Sequence, residues 1–387
     1  MNQLTWHFGF AETIAEDKKE GYLFDNSHEE LADRYAEDAI DHLFRMLSNE
    51  DKPNRAKTIE YLEKLFGVDS LYASGSDKEF TDDVKTILKL LFRGHIIELE
   101  SKPWFLNYRD KYDDTSFLSC FFNYASWDAM RKWRREIMIA TGVIICPYCD
   151  RQYITPFLVN ITPDDEEPKT LATLDHFYSK SKYPLFALSL FNFIPACYGC
   201  NSVIRGEQPL KIYPYRPGYS DLTHFVLKTQ NIEKYYMKRD DSGNNGTPIE
   251  EVVDIILGKE ETPLSIEKTV NSKLPDGIIS DDVSADIEAL KINEVYAVHQ
   301  DYVKELLLIR RFYENSEYCD YVTNLLNNTI FADIDFRYPV TIDMLRRFLI
   351  GADWIRDNED GTNPHKRPLS NLTNAIMHDE YKILFAK

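Results

Sequence analysis

Apolar residues recur at helical spacing through the first third of the chain. Leu31, Tyr35, Ala39, Leu43 and Met46 fall three or four apart, and Ile59, Leu62 and Leu65 repeat the pattern. Residues from 29 to about 140 are therefore predicted to be helical. Thr81-Asp82-Asp83 offers a cap for one helix running through Leu88 and Leu91. Another, from Trp127, carries Arg131, Lys132, Arg134 and Arg135 and stops at Gly142. The rhythm then changes. Residues 152–161 are rich in β-formers, 163–168 form an acidic turn with two prolines, and 170–177 resume as a strand. Residues 179–184 form a loop, and Asn201-Ser202-Val203-Ile204-Arg205 begins a helix.

Past Tyr219 a polar turn at 240–246 precedes a long helical pattern over 285–327, with Leu290, Val295, His299, Val303, Leu306 and Ile309. A last helix is predicted at 342–349. No internal repeat or low-complexity tract interrupts these periods. The pattern predicts an α+β fold in three parts: a helical region over residues 1–141, a small mixed core over 142–216, and a mainly helical region over 217–387.

Composition adds limits. With 43% hydrophobic and 13% aromatic residues, 387 residues can bury a substantial core. No stretch approaches the roughly 18 consecutive apolar residues of a membrane-crossing helix. The first residues carry neither a basic start nor an apolar signal core, so no membrane association and a cytoplasmic location are expected. A net charge of −19 argues, taken whole, against a nucleic-acid partner. Its distribution argues otherwise. The stretch from Arg131 to Arg216 has a small basic excess, so the acidic surplus lies in the two flanks.

Chemistry concentrates in that basic island. Of six cysteines, four form two pairs of identical spacing, Cys146-Pro147-Tyr148-Cys149 and Cys197-Tyr198-Gly199-Cys200. Paired C-x-x-C units without a secretion signal read as metal ligands before disulfides. Four thiolates suit closed tetrahedral zinc, which leaves no position for substrate and is therefore structural. Cys120 and Cys319 are read as buried or incidental thiols. Between the pairs stands Leu174-Asp175-His176-Phe177. Adjacent strand residues point to opposite faces, so the carboxylate and imidazole meet at one site only if the chain turns there. Asn192, in an apolar run, needs buried partners and reads equally as a turn residue. Asn201, directly after Cys200, reads equally as a helix N-cap.

These four elements, in this order, resemble the HNH or ββα-metal nuclease family, in particular a bacterial stand-alone branch in which two C-x-x-C pairs hold zinc behind the active site. The resemblance covers about a fifth of the chain. It implies a small zinc-stabilised, treble-clef-like ββα-metal core between helical arms, and a DNA endonuclease activity. His176 would be the general base, and Asn192 would fix its imidazole. Asp175 and Asn201 would hold one catalytic divalent cation, Mg²⁺ or Mn²⁺, which polarises the phosphate and stabilises the departing 3′ oxygen. The chain departs from the family name in having Asn201 where its last letter calls for histidine.

Arg205, Lys180, Lys182 and Lys211 are the candidate phosphate contacts, with Arg216 beside them. Arg205 is the foremost of these, one helical turn beyond Asn201. Tyr178, Tyr183 and Tyr213 interleave with these cations as candidate packing partners for sugars or bases. Arg131, Lys132, Arg134 and Arg135 read either as a DNA-facing ridge or as plain helix surface. By analogy with the family, such proteins act in bacterial antiviral defence, sometimes beside an ATPase. Two other readings stay open: a non-catalytic zinc module that binds nucleic acid or protein, and a subunit active only within a larger complex.

Overall fold

A computed structural model describes residues 29–73, 79–110, 114–141, 143–154, 156–162, 165–215, 219–229, 264–314, 316–330, 341, 368–377 and 382–385. Gly142, Arg216, the 240–246 turn and the 342–349 helix fall outside the described residues, as does the side chain of Cys319. The chain divides into two compact units, Met1–Tyr219 and Ser220–Lys387.

The first unit begins with helices whose buried faces follow the expected period. Helix α1 (Glu29–Ser48) buries Ala32, Tyr35, Ala36, Ala39, His42, Leu43 and Leu47 on one side. Helix α2 (Arg55–Phe66) buries Thr58, Leu62 and Phe66, one position off the Ile59-Leu62-Leu65 stripe, and ends on Gly67 in the left-handed region (φ 70°). Helix α3 (Asp82–Arg93) starts as the sequence predicts, with Thr81 Oγ1 accepting from the Val84 amide at 3.2 Å. It packs on α1, and Lys89 and Arg93 both reach Asp33 across the contact. Two short helices follow, α4 (Ile96–Glu100) and α5 (Pro103–Asp110). Then α6 (Met130–Ala140) buries Met130, Trp133 and Ile137, and the Trp133 indole donates to Asp38 of α1 at 2.9 Å.

Two separate hairpins carry the strands of this unit. Strand β1 (Pro156–Thr162) pairs antiparallel with β2 (Asp165–Thr170). The expected six-residue acidic turn is thus corrected: residues 165–168 belong to strand β2. Strand β3 (Ala172–His176) pairs antiparallel with β4 (Phe193–Cys197), Asp175 opposite Ile194 and His176 opposite Phe193. A π-helical segment, Gly199–Arg205, closes on Gly206, whose φ of 55° suits a residue without Cβ.

The helical arm holds the β3–β4 hairpin through specific bonds. Tyr35 donates from α1 to the Leu188 carbonyl at 2.6 Å. The hydroxyl of Tyr108 on α5 accepts from the Leu185 amide at 3.1 Å. Phe105 and Tyr108 pack on Phe186 with ring centroids 4.8 and 5.0 Å apart. Arg134 of α6 donates to the Ala172 carbonyl at 3.1 Å, so one member of the basic cluster serves the fold.

The second unit adds a small sheet to its helices. Strands β5 (Thr223–Thr229), β6 (Leu264–Val270) and β7 (Lys382–Phe385) form a sheet in the order β6-β5-β7, the first pair antiparallel and the second parallel. The predicted 285–327 helix is broken into α7 (Ser280–Ala289), α8 (Ile292–Tyr296), α9 (Gln300–Glu314) and α10 (Ser316–Leu325). Lys291, at φ 50°, turns the chain between α7 and α8. Tyr296 packs on Phe225 at 5.2 Å, and α11 (Ser370–Met377) meets α9 through Tyr302 and Thr373 hydroxyls 2.7 Å apart. Helices with small sheets make the fold α+β. No helix among the described residues is long and apolar enough to cross a membrane.

His42 gives this unit's companion, the helical arm, a pH dependence. It stacks on Trp127 at 5.4 Å, its Nε2 has no hydrogen-bond partner, and burial pushes its pKa down to about 4. The neutral ring is favoured in the folded state, so its contribution is present above pH 6.5 and is lost as pH falls toward 4. Urea unfolding of the parent and of His42→Phe is expected to show the parent losing more stability over that window. Equal losses would place the acid sensitivity elsewhere.

A candidate metal centre and the hairpin it anchors

The two C-x-x-C pairs come together although 48 residues separate Cys149 from Cys197. Cys146, Cys149, Cys197 and Cys200 are all buried, and their sulfurs lie within 4.8 Å of one another. The Cys149 and Cys197 sulfurs are 3.9 Å apart. A tetrahedral ion with bonds of about 2.3 Å to sulfur separates its ligands by about 3.8 Å. The donor set therefore fits a structural zinc ion.

The local backbone is built for such a centre. The amide of Cys197 donates to the Cys146 sulfur and that of Cys200 to the Cys197 sulfur, both at 3.4 Å. These bonds stabilise thiolate charge. The first pair sits on a tight turn in which Asp150 adopts φ 52° and its amide donates to the Cys146 carbonyl at 2.9 Å. Bridging of Ile145 to Tyr153 closes that turn. As bare thiols three of the groups conflict: burial raises Cys146, while contact with the Cys146 sulfur drives Cys197 down and Cys200 up. One central cation removes the conflict, since all four then act as thiolates.

Strand β3 presents Asp175 and His176 to opposite faces, as its alternation requires. On one face the Asp175 carboxylate is 4% exposed. Its Oδ2 accepts from the Tyr148 hydroxyl at 2.5 Å and from Arg205 Nη1. Burial raises the Asp175 pKa, and the Arg205 guanidinium and Tyr148 hydroxyl oppose that rise. Two residues back on the same face, Thr173 Oγ1 accepts from Asn201 Nδ2 at 2.8 Å. Asp175 and Asn201 thus share a side of the hairpin, but Asp175 already has two protein donors on one oxygen.

On the other face, the His176 ring contacts Tyr124 and Phe193 edge-on, with centroids 5.5 and 5.2 Å away. Its Nε2 lies 3.0 Å from the Ala187 carbonyl, a partner that only an N–H can satisfy. That bond fixes the tautomer and leaves Nδ1 with the lone pair. Burial holds the ring neutral, its pKa pushed down to about 4 with Lys180 and Arg205 adding to the effect and the Ala187 bond opposing it.

Asn192 is fully buried and does not touch the imidazole. It donates to the carbonyls of Tyr178 and Phe186 at 3.0 and 2.9 Å and accepts from the Tyr178 amide at 2.7 Å. It therefore closes the loop from Tyr178 to Phe186, next to Ala187, and reaches His176 only through that loop.

The strongest expected phosphate contact has a different place. Arg205 is 2% exposed. Its Nη1 reaches Asp175 and the His176 carbonyl, its Nη2 the Phe177 carbonyl and its Nε the Gln208 carbonyl. A buried carboxylate needed a countercharge, and this guanidinium supplies it. Lys180, Lys182 and Lys211 are exposed, Lys180 lying over the Tyr124 ring and Lys182 over Tyr183. Tyr178 and Tyr213 pack inward, Tyr213 donating to the Phe191 carbonyl at 2.7 Å. Tyr148 and Tyr124 are the residues that sequence reasoning passed over. Tyr148 was visible as the aromatic inset of the first pair, whereas nothing near Tyr124 marked it.

Compared with protein-family models, with curated proteins and with solved structures, the chain matches none.

Replacing one sulfur tests the metal assignment. Cys149→Ser is expected to lower bound zinc from one equivalent and to cost several kcal/mol of stability, because metal binding is folding energy in such sites. Elemental analysis beside thermal unfolding reads both. Full zinc content in the variant would remove Cys149 from the ligand set.

Proposed function

We propose that this chain is an HNH-type endonuclease that hydrolyses phosphodiester bonds in DNA, with His176 as general base. One observation carries the reading: His176 Nε2 lies 3.0 Å from the Ala187 carbonyl, a geometry that commits Nε2 to donating and leaves Nδ1 as the ring's acceptor. The order of elements around it agrees with that family's core, namely a cysteine turn, an antiparallel hairpin and a helical segment starting at the second pair.

In this reading Nδ1 takes a proton from water as the water oxygen bonds to phosphorus, and the bond from phosphorus to the 3′ oxygen breaks. The leaving oxygen collects a proton from solvent. Lys180, Lys182 and Lys211 supply exposed positive charge for the backbone. A hard divalent cation, Mg²⁺ or Mn²⁺, would polarise the phosphate when bound. Asn201 offers it an amide oxygen, while Asp175 Oδ2 is engaged by Tyr148 and Arg205.

A second reading is favoured by that same engagement. If Asp175 serves only the fold, the chain is a zinc module, or a subunit that works inside a larger assembly with a partner such as an ATPase. The two readings part in one assay. Purified protein with Mg²⁺ or Mn²⁺ is expected to cut plasmid DNA, and His176→Ala is expected to lower the rate at least about 100-fold, the usual scale for a general base, with zinc content unchanged. Equal cutting by His176→Ala would remove the base. Binding without cutting by the parent, in the presence or absence of co-purified partners, would favour the module.

A further inference from the structure

Three buried side chains connect the metal centre to the end of β3, and each comes from a different part of the site. Tyr148 stands between the first two cysteines, Arg205 ends the segment that begins at the second pair, and Asp175 lies on the strand between them. Their side chains are within a few per cent of full burial. Asp175 accepts from both the Tyr148 hydroxyl and Arg205, and Arg205 donates further to the carbonyls of His176 and Phe177. The guanidinium thus grips the backbone of the residue whose imidazole faces the other side of the hairpin.

From this juxtaposition we propose that Tyr148, Asp175 and Arg205 form a positioning lock that transmits the order of the four-cysteine cluster to His176, with Asp175 acting through Arg205 and not as a cation ligand. The functional half of this rests on the nuclease reading above; the structural half does not. A planar guanidinium suits the task because its fixed fork holds one carboxylate and three carbonyls at once, which an ammonium cannot do. Tyr148 adds the link to the metal, since losing the cluster frees the turn that carries it.

The lock is built so that its members fail together. Removing either charge leaves the other buried and unpaired, whereas removing both leaves a neutral, if less ordered, site. Independent side chains behave differently, and their effects add.

The test uses the full-length zinc-loaded protein with Asp175→Asn, Arg205→Met and the double variant. Two readouts need no activity: the rate of zinc release to a chelator, and thermal unfolding. Each single variant is expected to release zinc at least tenfold faster and to melt lower than the parent, and the double variant to be no worse than either single one. Strictly additive effects, or unchanged zinc release in Arg205→Met, would overturn the lock whether or not the protein cuts DNA. If the parent cuts, Arg205→Met is expected to lower kcat about 100-fold with KM for DNA within twofold. The Mg²⁺ concentration for half-maximal cutting by Asp175→Asn is expected to stay within twofold of the parent's. A raised KM in Arg205→Met would return that residue to phosphate binding, and a tenfold rise in required Mg²⁺ would return Asp175 to the cation. A parent that fails to cut counts against the nuclease reading alone, and the zinc-release comparison then decides the lock.

Discussion

Four sulfur atoms gathered in a buried space are the constraint on which the central segment depends. Cys146 and Cys149 meet Cys197 and Cys200 across a stretch of chain that holds two hairpins. Thiolates crowded this closely repel, and as thiols they conflict in protonation. A divalent cation turns that cost into a bond network. The turn around Asp150, the amide-to-sulfur bonds and the end of β4 then follow as the geometry that such an ion requires.

The second support is apolar. Helix α5 packs Phe105 on Phe186 and Phe191 and Tyr108 on Phe186, while α1 and α6 bond to the hairpin and its connecting loop through Tyr35 and Arg134. The loop carries Lys180 and Lys182 outward and the Ala187 carbonyl inward, so one short stretch presents surface charge and fixes the imidazole. The arm also contributes Tyr124 to the wall of the His176 ring. The site therefore belongs to the whole first unit and does not stand alone on the cysteine-bounded segment.

What the sequence made legible follows from how local each signal was. Identical C-x-x-C spacings identify a four-ligand group because the chemistry of the ligands, and not their surroundings, defines the site. The Thr81 cap and the α1 stripe were readable for the same reason, each depending on neighbours within a few positions. Arg205 was not. One helical turn beyond Asn201 it reads as a phosphate contact, and only the burial of Asp175, 30 residues away, reverses that. A carboxylate set between Leu174 and Phe177 was the available hint that a countercharge was needed. Strands β5 and β6 were missed because Thr223 pairs with Val270, too far along the chain for a turn signal to announce the hairpin.

Zinc-edge X-ray absorption on the purified protein tests the metal centre most directly. One zinc per chain with four sulfur neighbours at about 2.3 Å is the result this account predicts. A first coordination shell containing nitrogen or oxygen in place of sulfur, or protein that folds fully with no zinc bound, would contradict it.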